Sequence, residues 1–159
     1  MRGRSKYKKR PPKPDPENNR VDMGRFVNYL MHGGKKTVAE KVFYNALDEI
    51  RKTTKSDPIA VFEKALENTT PKLEIASRRV GGANYQVPID VRPERRVFLP
   101  AKWIIAAARK KKGIPMHKRL AAELVAASNN EGDAIKKKLD THRIAEANRA
   151  FASFVRRRS

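Results

Sequence analysis

Apolar residues recur along most of this chain at the three- and four-residue spacing of helices that bury one face. Met23, Phe26, Val27, Leu30 and Met31 predict a short helix over Val21 to His32, ended by Gly33 and Gly34. A second helix, Lys35 to Thr54, turns Ala39, Val42, Phe43, Ala46, Leu47 and Ile50 inward and leaves Lys41, Asn45, Asp48 and Lys52 outside. Ser56 and Asp57 offer a cap, and Pro58 a first-turn proline, for a third helix bearing Ile59, Phe62, Ala65 and Leu66 and stopping before Pro71. Farther on, Pro93 to Pro100 reads as a turn-rich link. A fourth helix follows over Ala101 to Lys112, with Trp103, Ile104, Ala107 and Ala108 inward. Met116 to Asn129 predicts a fifth on Leu120, Leu124, Val125 and Ala127. A sixth starts after a cap at Asp133 and runs toward Val155, with Ile135, Leu139, Ile144, Ala147, Phe151 and Phe154 facing in.

The period changes once, from 3.6 to 2, over Lys72 to Arg92. Two runs rich in Ile, Val and Tyr flank Gly81 and Gly82, the signature of antiparallel strands joined by a tight turn. Tyr85, Val87, Ile89 and Val91 alternate with Gln86, Pro88, Asp90 and Arg92. A three-residue loop of Gly81, Gly82 and Ala83 would set Leu73 opposite Val91 and Ile75 opposite Ile89, giving an apolar base. It would also set Glu74 against Asp90, a like-charge pair for Lys72 and Arg92 to relieve. Ser77, Arg78 and Arg79 lack apolar partners, so the distal half is expected to be exposed, on an arm about 25 Å long. The expectation is a mainly α fold: a six-helix body with a protruding two-stranded β-hairpin between the third and fourth helices. A single helical domain would cover 21–159, with the arm at 72–92.

Charge adds a partner class. The 159 residues hold 37 Lys plus Arg against 17 Asp plus Glu, a net +20, and a body of that charge is suited to a polyanion, most commonly nucleic acid. Residues 1–20 carry eight Lys or Arg, two acids and four prolines, too little apolar surface to offset chain entropy, and predict a disordered or extended basic tail. Lys35 to Thr70 is nearly balanced, with seven basic and six acidic residues. Lys102 to Arg119, by contrast, holds seven Lys or Arg and no acid, leaving one surface of unrelieved positive charge. With no cysteine, disulfides and thiolate sites are excluded. No apolar run approaches the ~20 residues of a membrane span, and no signal-peptide core follows the basic start, so a soluble intracellular protein is expected.

Catalytic constellations are absent from the pattern. His32, His117 and His142 share no metal spacing and read as surface or phosphate-contacting residues. Gly34-Lys35-Lys36-Thr37 fails as a phosphate-binding loop, because Tyr29 stands where its first glycine belongs and Lys36 where Ser or Thr must follow the lysine. Lys35 and Lys36 can still hold a phosphate at a helix start, where main-chain donors favour anions. Neither a cofactor nor a metal is implied. The basic residues are spread over several elements, which suits a folded RNA better than one face of a straight duplex. Arg78, Arg79, Arg92, Arg95 and Arg96 suit bidentate phosphate contact, while Tyr85 and Trp103 read as core rather than base-stacking residues.

The stretches Pro14-Asp15-Pro16, Phe26-Val27-Asn28 followed by Gly34-Lys35-Lys36, Ala65-Leu66-Glu67-Asn68, and Ser77-Arg78-Arg79-Val80-Gly81-Gly82 with Tyr85-Gln86-Val87-Pro88 resemble the bacterial small-subunit ribosomal protein S-seven family. So do Val91-Arg92-Pro93, Trp103-Ile104 with Ala107-Ala108-Arg109-Lys110, and Ala145-Glu146-Ala147-Asn148 with Ala150-Phe151-Ala152. The resemblance spans essentially the whole chain. It implies a non-enzymatic constituent of the small subunit that binds the rRNA head domain, nucleates head assembly, and places its hairpin near exit-site tRNA, the mRNA exit path and ribosomal protein S-eleven. It further implies a cytoplasmic ribosome, an organellar one left open, with no membrane partner and no homo-oligomer. Carried over, rRNA contacts fall to Arg2, Arg4, Lys6, Lys8, Lys9, Arg10, Lys35, Lys36, Arg92, Arg95, Arg96, Lys102, Arg109, Lys110, Lys111 and Lys112. The tRNA- and mRNA-facing arm comprises Arg78, Arg79, Val80, Gly81, Gly82, Ala83, Asn84 and Tyr85. The competing reading from the residues is an architectural DNA-binding protein with a β-ribbon arm, although such arms carry an apolar or proline wedge at the tip, where this chain has Gly-Gly-Ala-Asn.

Overall fold

The computed structural model describes residues 12–80 and 82–155. Arg2, Arg4, Lys6, Lys8, Lys9 and Arg10, Gly81, and the basic run Arg156 to Arg158 lie outside the described residues. Three amphipathic helices, α1 (Val21–Leu30), α2 (Lys36–Thr54) and α3 (Pro58–Thr69), converge through Phe26, Phe43 and Phe62, all fully buried. Their ring centroids lie 5.2–5.5 Å apart in tilted and edge-to-face arrangements, and burying each ring contributes roughly 2–3 kcal/mol. Asp57 caps α3 as its spacing predicts, its carboxylate accepting from the Ile59 N–H at 3.1 Å, with Pro58 in the first turn. Helix α5 (Met116–Ser128) packs against α2, α3 and the fourth helix through Leu120, Ala121, Leu124 and Ala127, the alanines allowing close approach. Ahead of α1, Asp15 is buried and accepts from the Tyr44 hydroxyl at 2.6 Å and the Asn18 N–H at 3.1 Å, anchoring residues 12–20 to the body. Burial and that carboxylate raise the Tyr44 pKa well above its ordinary value.

The expected link at Pro93 to Pro100 is instead helix: α4 runs Pro93–Lys110. Pro93 occupies the first turn, where its missing N–H costs nothing. Pro100 lies within the helix and leaves the Arg96 carbonyl without its usual donor. The Thr70 hydroxyl reaches that carbonyl at 3.4 Å. The sixth helix also departs from expectation. α6 spans Asp133–Ala147, with Gly132 rather than Asp133 as its cap, and past Asn148 a 3₁₀ helix, Arg149–Val155, takes the chain onward. Leu139 and Ile144 are 59% and 41% exposed and Ala147 is exposed, so these three do not face in. The inner face is Ala134, Ile135 and Ala145, joined by polar links to neighbouring helices. Lys138 Nζ donates to the Asn68 carbonyl at 2.5 Å, and Asn68 Nδ2 donates to the carbonyls of Ala127 and Ser128 at 3.0 and 2.9 Å. One asparagine thus ties the end of α3 to the end of α5 and to α6.

The hairpin comprises β1 (Leu73–Val80) and β2 (Ala83–Asp90), antiparallel, its register one residue away from expectation. Val80 pairs with Ala83, leaving two residues between the strands, and Gly82 takes the left-handed φ of +91° that such a tight turn demands. Leu73 therefore faces Asp90, Ile75 faces Pro88, and Glu74 faces Ile89 rather than Asp90. Cross-strand partners share a face, so Leu73 and Ile75 fall on the side opposite Val87 and Ile89, and the single apolar face becomes two partial ones. The alternation within β2 stands, with Val87 and the following Val91 buried and Gln86 and Asp90 exposed. Ser77, Arg78, Arg79, Gly82, Ala83 and Asn84 are exposed, while the Tyr85 ring meets Phe151 of the 3₁₀ helix at 5.1 Å.

At the hairpin base the Lys72 N–H donates to His142 Nε2 at 3.1 Å, so this histidine is a structural acceptor rather than a phosphate contact. Burial first, then Lys138 and Lys72, hold its pKa below 6.5. An imidazolium has no lone pair for that N–H, and a depressed folded pKa means that the unfolded chain protonates first. The contribution is present above the unfolded value and lost as pH falls through the folded one. The midpoint temperature of unfolding is expected to drop between about pH 7 and 5, and His142→Ala to remove that part of the pH dependence.

Candidate nucleic-acid interface

Helix α4 sets Arg95, Phe98, Lys102, Ala106 and Arg109 along one side, at spacings of three and four. Arg95 Cζ and Lys102 Nζ each lie 5.5 Å from the Phe98 ring centre, a cation–π arrangement that holds both charges beside an aromatic. Tyr29 of α1 meets Phe98 edge-on, centroids 5.3 Å apart. Between them runs a groove of about 560 Å³, floored by Ile105 and Ala106 and bounded by Lys102, Arg109 and Lys110. Arg109 also donates to the Leu30 carbonyl at 3.0 Å, closing the end of α1. It lines a second recess with His32, Lys35 and Val38. Here α2 begins with no side-chain cap, so its first N–H groups stand beside Lys35 and Lys36. The structure therefore joins Arg95, Lys102, Arg109 and Lys35 into one band, although 74 residues of sequence separate Lys35 from Arg109.

Other predicted cations are placed differently. Arg96 lines a different recess, with Asp22, Glu63 and Glu67. Arg95 also bonds Glu74 at 2.7 Å, which ties β1 to α4 and relieves Glu74 in place of Lys72 and Arg92. Lys36 is 3.8 Å from Glu40, and Lys110 is 4.0 Å from Asp133, exposed pairs of little energetic weight. Lys111 is the strongest departure. Its Nζ sits 2.8 Å from the fully buried Glu123, whose other oxygen accepts from the Ala134 N–H at 3.1 Å and so caps α6 from outside. A Cβ at Gly132 would lie 2.8 Å from that oxygen, so only glycine lets the carboxylate approach. Arg92 and Lys112 are exposed, Arg92 at the cap of α4 and Lys112 beyond its end. Arg78 and Arg79 stand exposed on the hairpin, remote in sequence and element from the α4 band.

Phe98 and Tyr29 were missed as site residues. Phe98 fell in the supposed link, and Tyr29 stood outside the core spacing of its helix; a helix register carried back to Pro93 aligns Phe98 with Lys102 and Arg109. Among the described residues no group of acidic and histidine side chains could hold a metal ion, and no helix is long and apolar enough to cross a membrane.

Residues 2–149 match the family model for ribosomal protein S7p/S5e. The chain belongs to this family. Over 154 residues, 97% of this chain and 99% of each relative, it is 54% identical to small ribosomal subunit protein uS7 of Thermotoga maritima, 51% to that of Mesorhizobium japonicum and 52% to that of Brucella melitensis. Membership of the S7p/S5e family makes this a structural, non-enzymatic protein, and the mainly α body with a hairpin between α3 and α4 agrees with the resemblance. Within this member, the Glu123 carboxylate is expected to act on stability. Glu123→Ala removes both the cap of α6 and the partner of Lys111, with an expected loss on the order of 2 kcal/mol in urea unfolding, because a charge-assisted hydrogen bond at a helix N-terminus disappears.

Proposed function

We propose that this chain is a structural constituent of the small ribosomal subunit in the cytoplasm, binding the head domain of small-subunit rRNA and nucleating head assembly. The observation that carries this reading is the α4 band, where Lys102, Arg109 and Lys35 line connected grooves on a +20 chain of the S7p/S5e family. Several elements present positive charge in different directions, which suits a folded RNA. The basic residues of 1–11, together with Arg92 and Lys112, extend the contact. The hairpin tip, where Arg78, Arg79, Gly82, Ala83 and Asn84 are exposed, would face exit-site tRNA and the mRNA exit path near ribosomal protein S-eleven. Tyr85, packed on Phe151, is its support rather than its contact surface.

Equilibrium binding to a folded rRNA head fragment tests the band. Because Arg95 also ties Glu74, the informative pair is Lys35→Glu with Lys102→Glu. Affinity should fall by at least about tenfold at ~0.1 M salt, with a shallower salt slope, since phosphate contacts are lost and repulsion is added. Unchanged affinity would remove the band from the interface, and duplex DNA competing at equal concentration would sink the rRNA assignment.

The hairpin makes a separate prediction. Deleting Val80 to Asn84 and closing the turn should leave rRNA affinity within about twofold, because those residues are remote from the band. In reconstituted subunits, exit-site tRNA occupancy should fall. A normal occupancy would refute the tip's role, and loss of the cooperative unfolding transition would make the arm a folding element.

A further inference from the structure

The groove between α1 and α4 differs from the rest of the basic surface in being lined by rings as well as charges. Tyr29 and Phe98 stand at 80° to one another, 5.3 Å apart, and so form a corner rather than a stack. Ile105 and Ala106 floor it, no carboxylate lines it, and Lys102 and Arg109 stand at its rim. Its volume of about 560 Å³ falls within the roughly 300–1,000 Å³ of small-molecule clefts in general. We propose that this corner seats one unstacked nucleobase of the bound RNA. The inference rests on the rRNA reading above and narrows it to a single class of contact.

The chemistry of the corner selects that occupant. A planar base can lie on one ring while its edge meets the other, and every base has a π-face, so the seat reads stacking rather than sequence. Lys102, beside the Phe98 ring, and Arg109, at the far end, lie where the phosphates flanking such a base can be neutralised. An apolar peptide side chain would gain nothing from that rim, and an acidic one would not use the rings. Paired bases in an A-form helix keep their faces covered, so the seat requires an unpaired nucleotide in a loop, bulge or junction.

The test is equilibrium binding of the full chain to the folded rRNA head fragment across a salt series, with base-specific chemical probing of the RNA. Phe98→Leu keeps an apolar side chain in the groove and removes the ring. Affinity is expected to fall roughly five- to hundredfold, the loss of one base–aromatic stack, while the salt slope stays that of the parent because no phosphate contact is lost. Probing is expected to show one unpaired nucleotide protected by the parent chain and reactive with the variant. Tyr29→Leu gives the same test from the other wall should Phe98→Leu fold poorly. Parent-like affinity for the folded leucine variant, or weakened binding with no nucleotide changing reactivity, overturns the seat and leaves the rRNA reading intact. Failure of the parent chain to bind the fragment overturns that reading, and the seat with it.

Discussion

The whole chain carries a net charge of +20, and the fold depends on keeping positive charge out of the centre of a small helical body. The centre is three phenylalanines, Phe26, Phe43 and Phe62, with Ile104, Leu120 and Leu124 around them, all fully buried. Where carboxylates do enter the interior, as Asp15 and Glu123 do, each is held by hydrogen bonds or a cation. A buried carboxylate without such partners would cost several kcal/mol. The near-neutral α2 and α3 form the part of the body that needs no polyanion, whereas in the acid-free stretch from Lys102 to Arg119 the side chains of Lys102, Arg109, Lys110, Lys111, Lys112 and Lys118 are exposed, on α4, on the turn beyond it and on the first turn of α5.

The cations divide into those that hold the protein together and those that can meet a ligand. Lys111 neutralises Glu123, Lys138 bonds the Asn68 carbonyl, and Arg20 pairs with Asp22 and Glu63. Arg95 and Arg109 hold the protein together and keep donors free for a ligand, since a guanidinium has five donors and each uses only part of its fork in these bonds. That double use couples the interface to the fold: a phosphate bound at Arg109 is bound to the end of α1, and one at Arg95 to the base of the hairpin.

The joint itself is polar. The hairpin base is attached through Lys72 to His142 and through Glu74 to Arg95, with Val87 and Val91 as its buried apolar anchors. The Tyr85 ring, packed on Phe151 of the 3₁₀ helix, adds an aromatic hold farther along β2.

Much of the architecture was legible in the chain alone. All six helices and both strands follow from period, the start of α4 and the end of α6 apart, because burying one face of a helix or strand imposes a repeat that survives in the sequence. The cap at Asp57, the turn glycines and the uneven charge are likewise local facts. Where prolines or scattered apolar residues had to be weighed, local rules failed. Pro100 sits within α4 where Thr70, thirty residues earlier, reaches the carbonyl the proline cannot serve. α6 turns Lys138 and His142 inward because Asn68 and Lys72 wait there, leaving Leu139 and Ile144 outside. The hairpin register differs by one residue because the strands meet with two residues between them, and a shift of one changes every cross-strand partnership. For the interface, sequence alone determined that the surface would be basic and where along the chain its arginines and lysines stand. Only the tertiary structure decided which of them share a groove, which are bound to carboxylates, and that Tyr29 meets Phe98. Apart from helix-spaced pairs such as Lys36 with Glu40, those outcomes depend on contacts between residues well separated along the chain, which no local pattern encodes.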